Sequence, residues 1–336
     1  MNVLSLFDGM SCGRIALERS GLTVDNYFAS EIDKHAIKVS ESNYPDIIRL
    51  GDVTKIDASK LPKIDILLGG TPCQGFSFAG KQLNFEDPRS KLFFEFVRLL
   101  KETNPRYFLL ENVNMKKEYQ DIITNELGVE PIKINSNLVS AQNRNRLYWT
   151  NIPNVKQPED KGIYLIDIIE EVNIERVYVK HIPHGYIKEK TVVQDKYPTL
   201  YSQDPSSKHK IYVEHKNDLE FEQLISEIYC PDRKYWSEEQ IKKYHNKEYK
   251  FRSCYRIENL FDKCQCLMAQ FGLNHPKFLV KIGERITFRR ITPIECERLQ
   301  TVPDNYTNYV STNQRYKMLG NGWTVDVISH ILNHIP

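Results

Sequence analysis

The stretch Ile64-Asp65-Ile66-Leu67-Leu68-Gly69-Gly70-Thr71-Pro72-Cys73-Gln74-Gly75-Phe76-Ser77 decides how this chain is read. Ile64 to Leu68 is a short apolar run of the kind that forms a buried parallel strand. It empties into a glycine-rich turn, and open α/β sheets place their chemistry at such strand ends. Pro72 fixes φ and has no N–H, while Gly69 and Gly70 let backbone approach a ligand closely. A cysteine presented directly after that proline is a candidate nucleophile. A free cysteine capping a core strand is the commoner fate of such a residue, and the turn by itself leaves both readings open.

The flanking sequence supplies the rest of an α/β sheet. Val3–Phe7 is an apolar strand, Asp8 to Gly13 its turn, and Arg14–Ser20 the start of a helix. Val24–Glu31 is a second strand, and Lys34–Asn43 a helix that Tyr44-Pro45 breaks. Ile47–Leu50 leads into Gly51-Asp52 as a third strand end. Leu92–Thr103 carries Leu92, Phe93, Phe96, Leu99 and Leu100 on one helical stripe. Tyr107–Leu110 is a strand that delivers Glu111-Asn112-Val113. A helix over about Lys117 to Leu127 and two β-like segments, Glu130–Ile134 and Arg146–Thr150, follow. This alternation predicts a mostly parallel sheet covered on both faces, a Rossmann-like α/β class.

The alternation stops after Pro153, and it resumes at Phe288. Thr292-Pro293-Ile294-Glu295 reads as an N-cap followed by proline at the first helical position. Gln314–Leu319 reads as a short helix, Gly320-Asn321-Gly322 as a turn, and Val325–Ile335 as a last helix. The expected division is a catalytic and cofactor-binding domain at 1–155, a smaller irregular domain at 156–285, and a C-terminal segment, 286–336, that completes the first.

Composition sets limits but names no partner. The chain has 336 residues, 40% of them hydrophobic and 27% charged, which describes an ordinary soluble protein. No run approaches the ~18 apolar residues of a membrane helix, and Met1 to Asp8 lacks the basic start of a signal peptide. Seven irregularly spaced cysteines do not suggest a disulfide framework. A cytoplasmic, reduced protein that does not engage a membrane is expected. The net charge of +2 leaves nucleic-acid binding to local patches.

Three of the strand ends carry polar groups suited to a nucleoside. Phe7-Asp8-Gly9 with Gly13 is not the G-x-G-x-x-G dinucleotide fingerprint. Glu31, ending the second strand, can accept both hydroxyls of a ribose. Asp52, ending the third, can accept from an adenine amino group. Each acid alone is more often a solvated loop residue; one at each successive strand end makes a stronger pattern.

With these residues in place the chain resembles the C5-cytosine DNA methyltransferases that use S-adenosylmethionine. The likeness covers about 1–153 and 286–336. It rests on nine blocks in that family's order: Phe7-Asp8-Gly9, Glu31, Gly51-Asp52, Pro72-Cys73-Gln74, Arg89 to Phe93, Glu111-Asn112-Val113, Gln142 to Arg146, Arg289 to Gln300, and Gly320-Asn321. Ser11-Cys12 and Gly322-Trp323 depart from most bacterial members and are similar to the animal de novo methyltransferases. The resemblance implies a cofactor set of Phe7, Asp8, Gly9, Met10, Cys12, Glu31, Ile32, Asp52, Val53, Gly70, Pro72, Leu92, Asn321 and Trp323. It implies a catalytic set of Cys73, Glu111, Arg144 and Arg146, and no metal.

The implied chemistry is covalent. Cytosine C5 is a poor nucleophile, and adding a thiolate at C6 makes C5 enamine-like. A free thiol with a pKa of roughly 8.5 is only a few per cent thiolate at pH 7, so Cys73 needs help to ionise. The resemblance gives Glu111 the contact to N3 and the exocyclic amine, best as a group able to donate a proton. Arg144 and Arg146 alternate by two and share a face if extended; one can orient the base or the carboxylate, and both can hold phosphate. No residue is named for removal of the C5 proton, a step that a bound water can serve. The base must leave the duplex, and the loop Phe76–Pro88 is expected to close over it.

Residues 156–285 are expected to read double-stranded DNA. A basic, aromatic segment runs from Arg233, Lys234, Tyr235 and Trp236 through Lys242, Lys243, Tyr244, Lys247, Tyr249, Lys250 and Arg252 to Arg256, and it suits phosphate contacts. A solvated amphipathic helix at Ser237–Lys247 explains it equally well. Acidic Asp218–Glu227 is expected to face away from DNA. Cys254, Cys264, Cys266 and His275 lack the ligand spacing of a structural zinc site. The leading expectation is a sequence-specific, monomeric enzyme of bacterial or phage type that can work beside a cognate restriction enzyme. A tRNA cytosine methyltransferase and a catalytically silent DNA-binding regulator are the competing readings.

Overall fold

A computed structural model of the chain describes residues 1–71, 88–170, 263–267, 269, 277–282 and 285–336. Pro72, Cys73, the loop after them and the basic segment Arg233 to Arg256 lie outside the described residues, as do Asp218–Glu227, Cys254 and His275.

The strand–helix alternation read from the sequence is present. The elements are β1 (Asn2–Leu6), α1 (Cys12–Arg19), β2 (Asn26–Ser30), α2 (Lys34–Asn43), β3 (Ile48–Arg49), β4 (Ile66–Gly70), α3 (Pro88–Thr103), β5 (Tyr107–Val113) and α4 (Lys117–Leu127). Then come β6 (Ile132–Asn135), β7 (Gln142–Asn143), β8 (Asn145–Thr150), α5 (Leu165–Ile168) and β9 (Cys264–Gln265). After the hairpin strands β10 (Lys277–Ile282) and β11 (Arg285–Arg290) follow α6 (Pro293–Leu299), α7 (Thr312–Asn321) and α8 (Val325–Leu332).

A seven-stranded sheet has the order β3-β2-β1-β4-β5-β8-β6. β3, β2, β1, β4 and β5 pair in parallel, and β8 runs antiparallel to both its neighbours. The last strand to enter reverses because only a short return, 136–144, separates it from β6, too short for the crossover that a parallel partner needs. β5 runs three residues further than its apolar core suggests, to Val113, because β8 pairs with it along the whole extension, up to Val113 opposite Arg146. The connection from β3 to β4 holds two single-turn 3₁₀ segments, Val53–Lys55 and Ala58–Lys60, capped by the side chains of Asp52 and Asp57.

The core forms where α3 and α4 cover the sheet, with Phe93, Phe96, Leu99, Ile123 and Trp149 fully buried against Leu4, Leu6, Leu67 and Leu110. α8, the most apolar helix among the described residues, buries Val325, Val327, Ile328, Ile331 and Leu332. The C-terminal segment is thereby part of the same compact unit as the sheet, which comprises 1–170, 260–276 and 291–336. Thr292 caps α6 with proline at its first turn, as the sequence predicts, and Glu295 completes the cap by accepting the Thr292 N–H. α7 is longer than expected and runs through Gly320, which is therefore helical and not part of a turn. Buried Glu297 on α6 pairs with Arg315 on α7 at 3.0 Å and accepts the backbone N–H groups of Asn305 and Thr307, so its charge is fully answered. A second unit comprises 171–259 and 277–290. Its described part is the antiparallel pair β10–β11, with Lys277 opposite Arg290 and Ile282 opposite Arg285.

Candidate active site

The turn after β1 is built on a buried carboxylate. Asp8 accepts hydrogen bonds from the hydroxyls of Ser5, Ser11 and Tyr27 at 2.6, 2.5 and 2.7 Å. Burial raises its pKa, and those three donors only partly offset the rise. The Asp8 side chain faces the protein, which leaves backbone as the part of this residue that can meet a ligand. Met10 and Cys12 are likewise buried, and burial pushes the Cys12 thiol up to about 12. Phe7, at φ 56, packs on the core.

The ends of β2 and β3 differ from this. Glu31 accepts the Gly9 N–H on one oxygen and the Ile32 and Asp33 N–H groups on the other, all within 2.7–2.8 Å. The backbone holds this carboxylate rigidly and leaves lone pairs for further donors. Beside it, Ile32 is 76% exposed, an apolar side chain with no protein partner to cover it. Asp52 lies at the surface and accepts the Thr54 N–H at 3.0 Å and its hydroxyl at 2.9 Å; these bonds lower its pKa. Val53 is buried beneath it, Leu92 packs against the core cluster, and Asn321 is exposed at the end of α7.

Glu111 is the centre of a second group. In the ladder Glu111 faces Tyr148 and Val113 faces Arg146, so Glu111 and Arg146 are diagonal neighbours on one face. Arg146 Nε lies 3.0 Å from Glu111 Oε1, with the two side chains 15% and 12% exposed. Burial works against the charge on Arg146, but Glu111 and Cys266 more than offset it and raise its pKa. The other oxygen, Oε2, accepts the Trp323 indole N–H at 3.2 Å. Buried Asn112, the next residue of β5, donates to the Thr71 hydroxyl at 3.0 Å. The strand that carries Glu111 is thus tied to the residue immediately before Pro72-Cys73.

Arg144 behaves differently from Arg146. It is buried and donates to the Leu267, Gly320 and Gly322 carbonyls at 3.2, 3.1 and 2.9 Å. Its guanidinium also meets Cys266 Sγ at 3.2 Å, and that of Arg146 meets the same sulfur at 3.7 Å. Burial raises the Cys266 thiol, and the two guanidinium groups bring it below its ordinary value. Gln300 donates to the Leu319 and Gly322 carbonyls and accepts from Gln142 and from Thr324. Three sequence blocks far apart in the chain therefore converge on the segment that precedes Trp323. The sequence blocks included Gln142 and Gln300 without a role. Trp323 stands 212 residues from Glu111, a separation at which spacing carries no signal.

Among the described residues no group of three His, Cys, Asp or Glu side chains could hold a metal, and no helix is long and apolar enough to cross a membrane. The model of the C-5 cytosine-specific DNA methylases matches residues 1–336. The chain belongs to this family. It is 31% identical over 335 residues to the type II methyltransferase M1.ScrFI of Lactococcus lactis subsp. cremoris, covering 98% of this chain and 76% of that protein. It is 27% identical over 362 residues to M.FnuDI of Fusobacterium nucleatum, covering 100% and 94%. Among solved structures, the methyltransferase EhMeth of Entamoeba histolytica aligns with a TM-score of 0.66 at 16% identity, over 99% of this chain and 97% of that one. The Dnmt2 methyltransferase of S. pombe aligns at 0.57 and 17%, over 99% and 97%. These structures share the fold.

The family methylates DNA cytosine at C5, using a cysteine nucleophile on a base turned out of the duplex, and methyltransferases of this kind take S-adenosylmethionine as donor. The donor set at the sheet edge fits such a molecule. The groups that follow β2 and β3 are a fixed carboxylate at Glu31, an uncovered apolar side chain at Ile32 and a surface carboxylate at Asp52, which are chemically compatible with hydroxyl, ring and amino groups.

Proposed function

We propose that this enzyme methylates C5 of cytosine within a specific sequence of double-stranded DNA, with Cys73 as nucleophile and Glu111 and Arg146 as the groups that answer the charge on the base. The observation that carries this reading is the Glu111 carboxylate, gripped on both oxygens at the end of β5 and joined through Asn112 to Thr71, two residues before Cys73. S-adenosylmethionine, when bound, supplies an electrophilic methyl group. Glu31 would hold the ribose hydroxyls, Asp52 the adenine amino group, Ile32 a face of the ring, and backbone at Phe7, Gly9 and Gly70 the remainder.

This chain's own residues then divide the work. The Cys73 thiolate adds to C6 of the base, and the electron density reaches C5 and N3. Glu111 meets N3 and the exocyclic amine, where a carboxyl can deliver a proton and accept a hydrogen bond. Arg146 stays protonated beside it, holding the carboxylate in place and adding positive potential in a largely desolvated site. Arg144 serves the reaction at one remove, by fixing the backbone on which Trp323 stands. The segment between about 156 and 285 reads the target sequence, the enzyme acts as a monomer in the cytoplasm, and a cognate restriction endonuclease shares its site.

Incubation with methyl-labelled cofactor and either duplex DNA or tRNA tests the reading. Label is expected in DNA, at one short motif when a plasmid from expressing cells is bisulfite-sequenced. Label confined to tRNA would overturn the choice of substrate, and a Cys73→Ala variant that methylates like the parent would overturn the mechanism.

A further inference from the structure

We infer that Trp323 is a positioning residue for Glu111, and that Gly70 is glycine because the indole occupies the space of its side chain. The inference rests on the reading of Glu111 as the group that meets the target cytosine. A carboxylate at the end of a glutamate turns easily, because its last torsion is broad, and Arg146 alone grips one oxygen. Indole has a single N–H and no acceptor, and in Trp323 that N–H is spent on the other oxygen, Glu111 Oε2, at 3.2 Å. Two donors on different oxygens, one from β8 and one from the link between α7 and α8, fix the plane of the carboxylate. Its remaining lone pairs stay free for the base.

The position of the indole is itself built. Gly70 pairs with Glu111 in the β4–β5 ladder, so the ring lies over the residue next to the one it serves. A Cβ on Gly70 would stand 2.8 Å from the indole Nε1, closer than real Cβ contacts come, and 3.2 Å from Cε2 and Cζ2, which is tight, so the ring would have to shift. At its far edge, a Cβ on Gly13 would meet Cζ3 at 3.5 Å. The backbone entering Trp323 is held by Arg144 and Gln300, which both donate to the Gly322 carbonyl, and Thr324 on the other side donates to Gln300. A ring that only covered the sheet edge would need neither an N–H aimed at a carboxylate nor a glycine beneath that N–H.

The variant Trp323→Phe keeps a ring and removes the donor. Gly70→Ala keeps the donor and displaces it. Both are compared with Glu111→Gln in the full-length enzyme, with kcat on duplex DNA measured across pH and S-adenosylmethionine affinity measured separately. Loss of one donor to a charged acceptor is expected to lower kcat roughly 10–100-fold. It is also expected to change the pH profile of kcat in the same sense as Glu111→Gln, because both variants act on the same carboxylate. In Trp323→Phe, cofactor affinity should stay close to that of the parent. Trp323→Phe with a weaker cofactor affinity and an unmoved pH profile would make the ring a cofactor contact and refute the inference. A parental kcat and profile in both variants would refute it as well. Should Trp323→Phe fail to fold, Gly70→Ala alone decides, by kcat and its pH profile. Glu111→Gln with parental turnover would remove the reading of Glu111 itself, an outcome distinct from the other two.

Discussion

Replacing Arg144 by methionine separates two roles for a residue that sequence alone places in the catalytic set. Methionine keeps an apolar stem of similar reach and loses the guanidinium. In the structure that guanidinium lies 3.2, 3.1 and 2.9 Å from the Leu267, Gly320 and Gly322 carbonyls. Hydrogen bonds to a charged group are worth about 1.5–3 kcal/mol each, so three independent bonds would set the upper limit. Two of these carbonyls keep a second donor, the Gln300 amide at Gly322 and the Cys266 thiol at Leu267. The expected loss is therefore about 3–5 kcal/mol, a large part of the roughly 5–15 kcal/mol that holds a domain folded. Urea unfolding followed by circular dichroism, beside methyl transfer at low temperature where the variant stays folded, measures both consequences. Turnover should fall together with stability, because the segment carrying Trp323 loosens. A variant within about 0.5 kcal/mol of the parent, the range of an inert substitution, but with turnover abolished, would mean that Arg144 acts on the substrate, and would refute the clamp.

Two further outcomes follow from the same geometry. Glu31→Ala removes a carboxylate already fixed by three backbone N–H groups, and should weaken cofactor binding by roughly 10–100-fold while kcat at saturating cofactor changes less; calorimetric titration with S-adenosylmethionine checks it. Asp8 has its folded pKa raised by burial above the ordinary carboxylate value, so between those two values the folded state binds more protons than the unfolded one and stability falls as pH rises. Asp8→Asn should therefore gain on the parent as the pH of a urea-unfolding series climbs through that window; a gap that does not change with pH, or that widens in the parent's favour, would mean that the acid ionises as easily inside as outside.

The sheet was legible because its signals are local. The buried strand read by composition at Ile64–Leu68 lies two residues further on, at Ile66–Gly70, because Gly69 and Gly70 pair with Leu110 and Glu111 instead of turning; α2 and α4 run between the residues that their breakers and apolar positions set. Thr292-Pro293 announced a helix start, and the structure keeps the Thr292 cap and adds the return bond from the Thr292 N–H to the Glu295 carboxylate. Where neighbours in space decide, local signals fall short. β5 extends because β8 pairs with it, and α7 absorbs Gly320 because buried Met318 and Leu319 anchor its last turn. The inward turn of Asp8 has the same origin, since Tyr27 and Ser11 reach it from β2 and from the start of α1. Acid at a strand end predicts a ligand contact at Glu31 and Asp52, but the same residue type one strand earlier is spent on the fold.

The two arginines of the Gln142 to Arg146 block make that division sharpest. Alternation by two predicts that Arg144 and Arg146 share a face, and both reach the sulfur of Cys266. Only Arg146 lies within the ladder, opposite Val113, where its side chain stands diagonal to Glu111. Arg144 precedes the strand, and its guanidinium enters a nest of carbonyls offered by the ends of two other segments. A guanidinium has five N–H donors and no acceptor, so what surrounds it decides whether it answers a substrate or ties down backbone. Here the arginine that pairs with Glu111 and the arginine that ties down backbone are separated by one residue, and the sulfur between them joins both to β9. Cys266 follows β9 directly, and β9 pairs with β7, the two residues before Arg144. The carboxylate at Glu111, its two donors and the clamp that holds one of them therefore share a single continuous set of contacts. A change at Gln300 reaches Glu111 through Gly322 and Trp323, and one at Arg144 reaches it by that path and through Cys266 and Arg146; its kinetic signature should resemble a weakened Glu111 more than a lost cofactor contact.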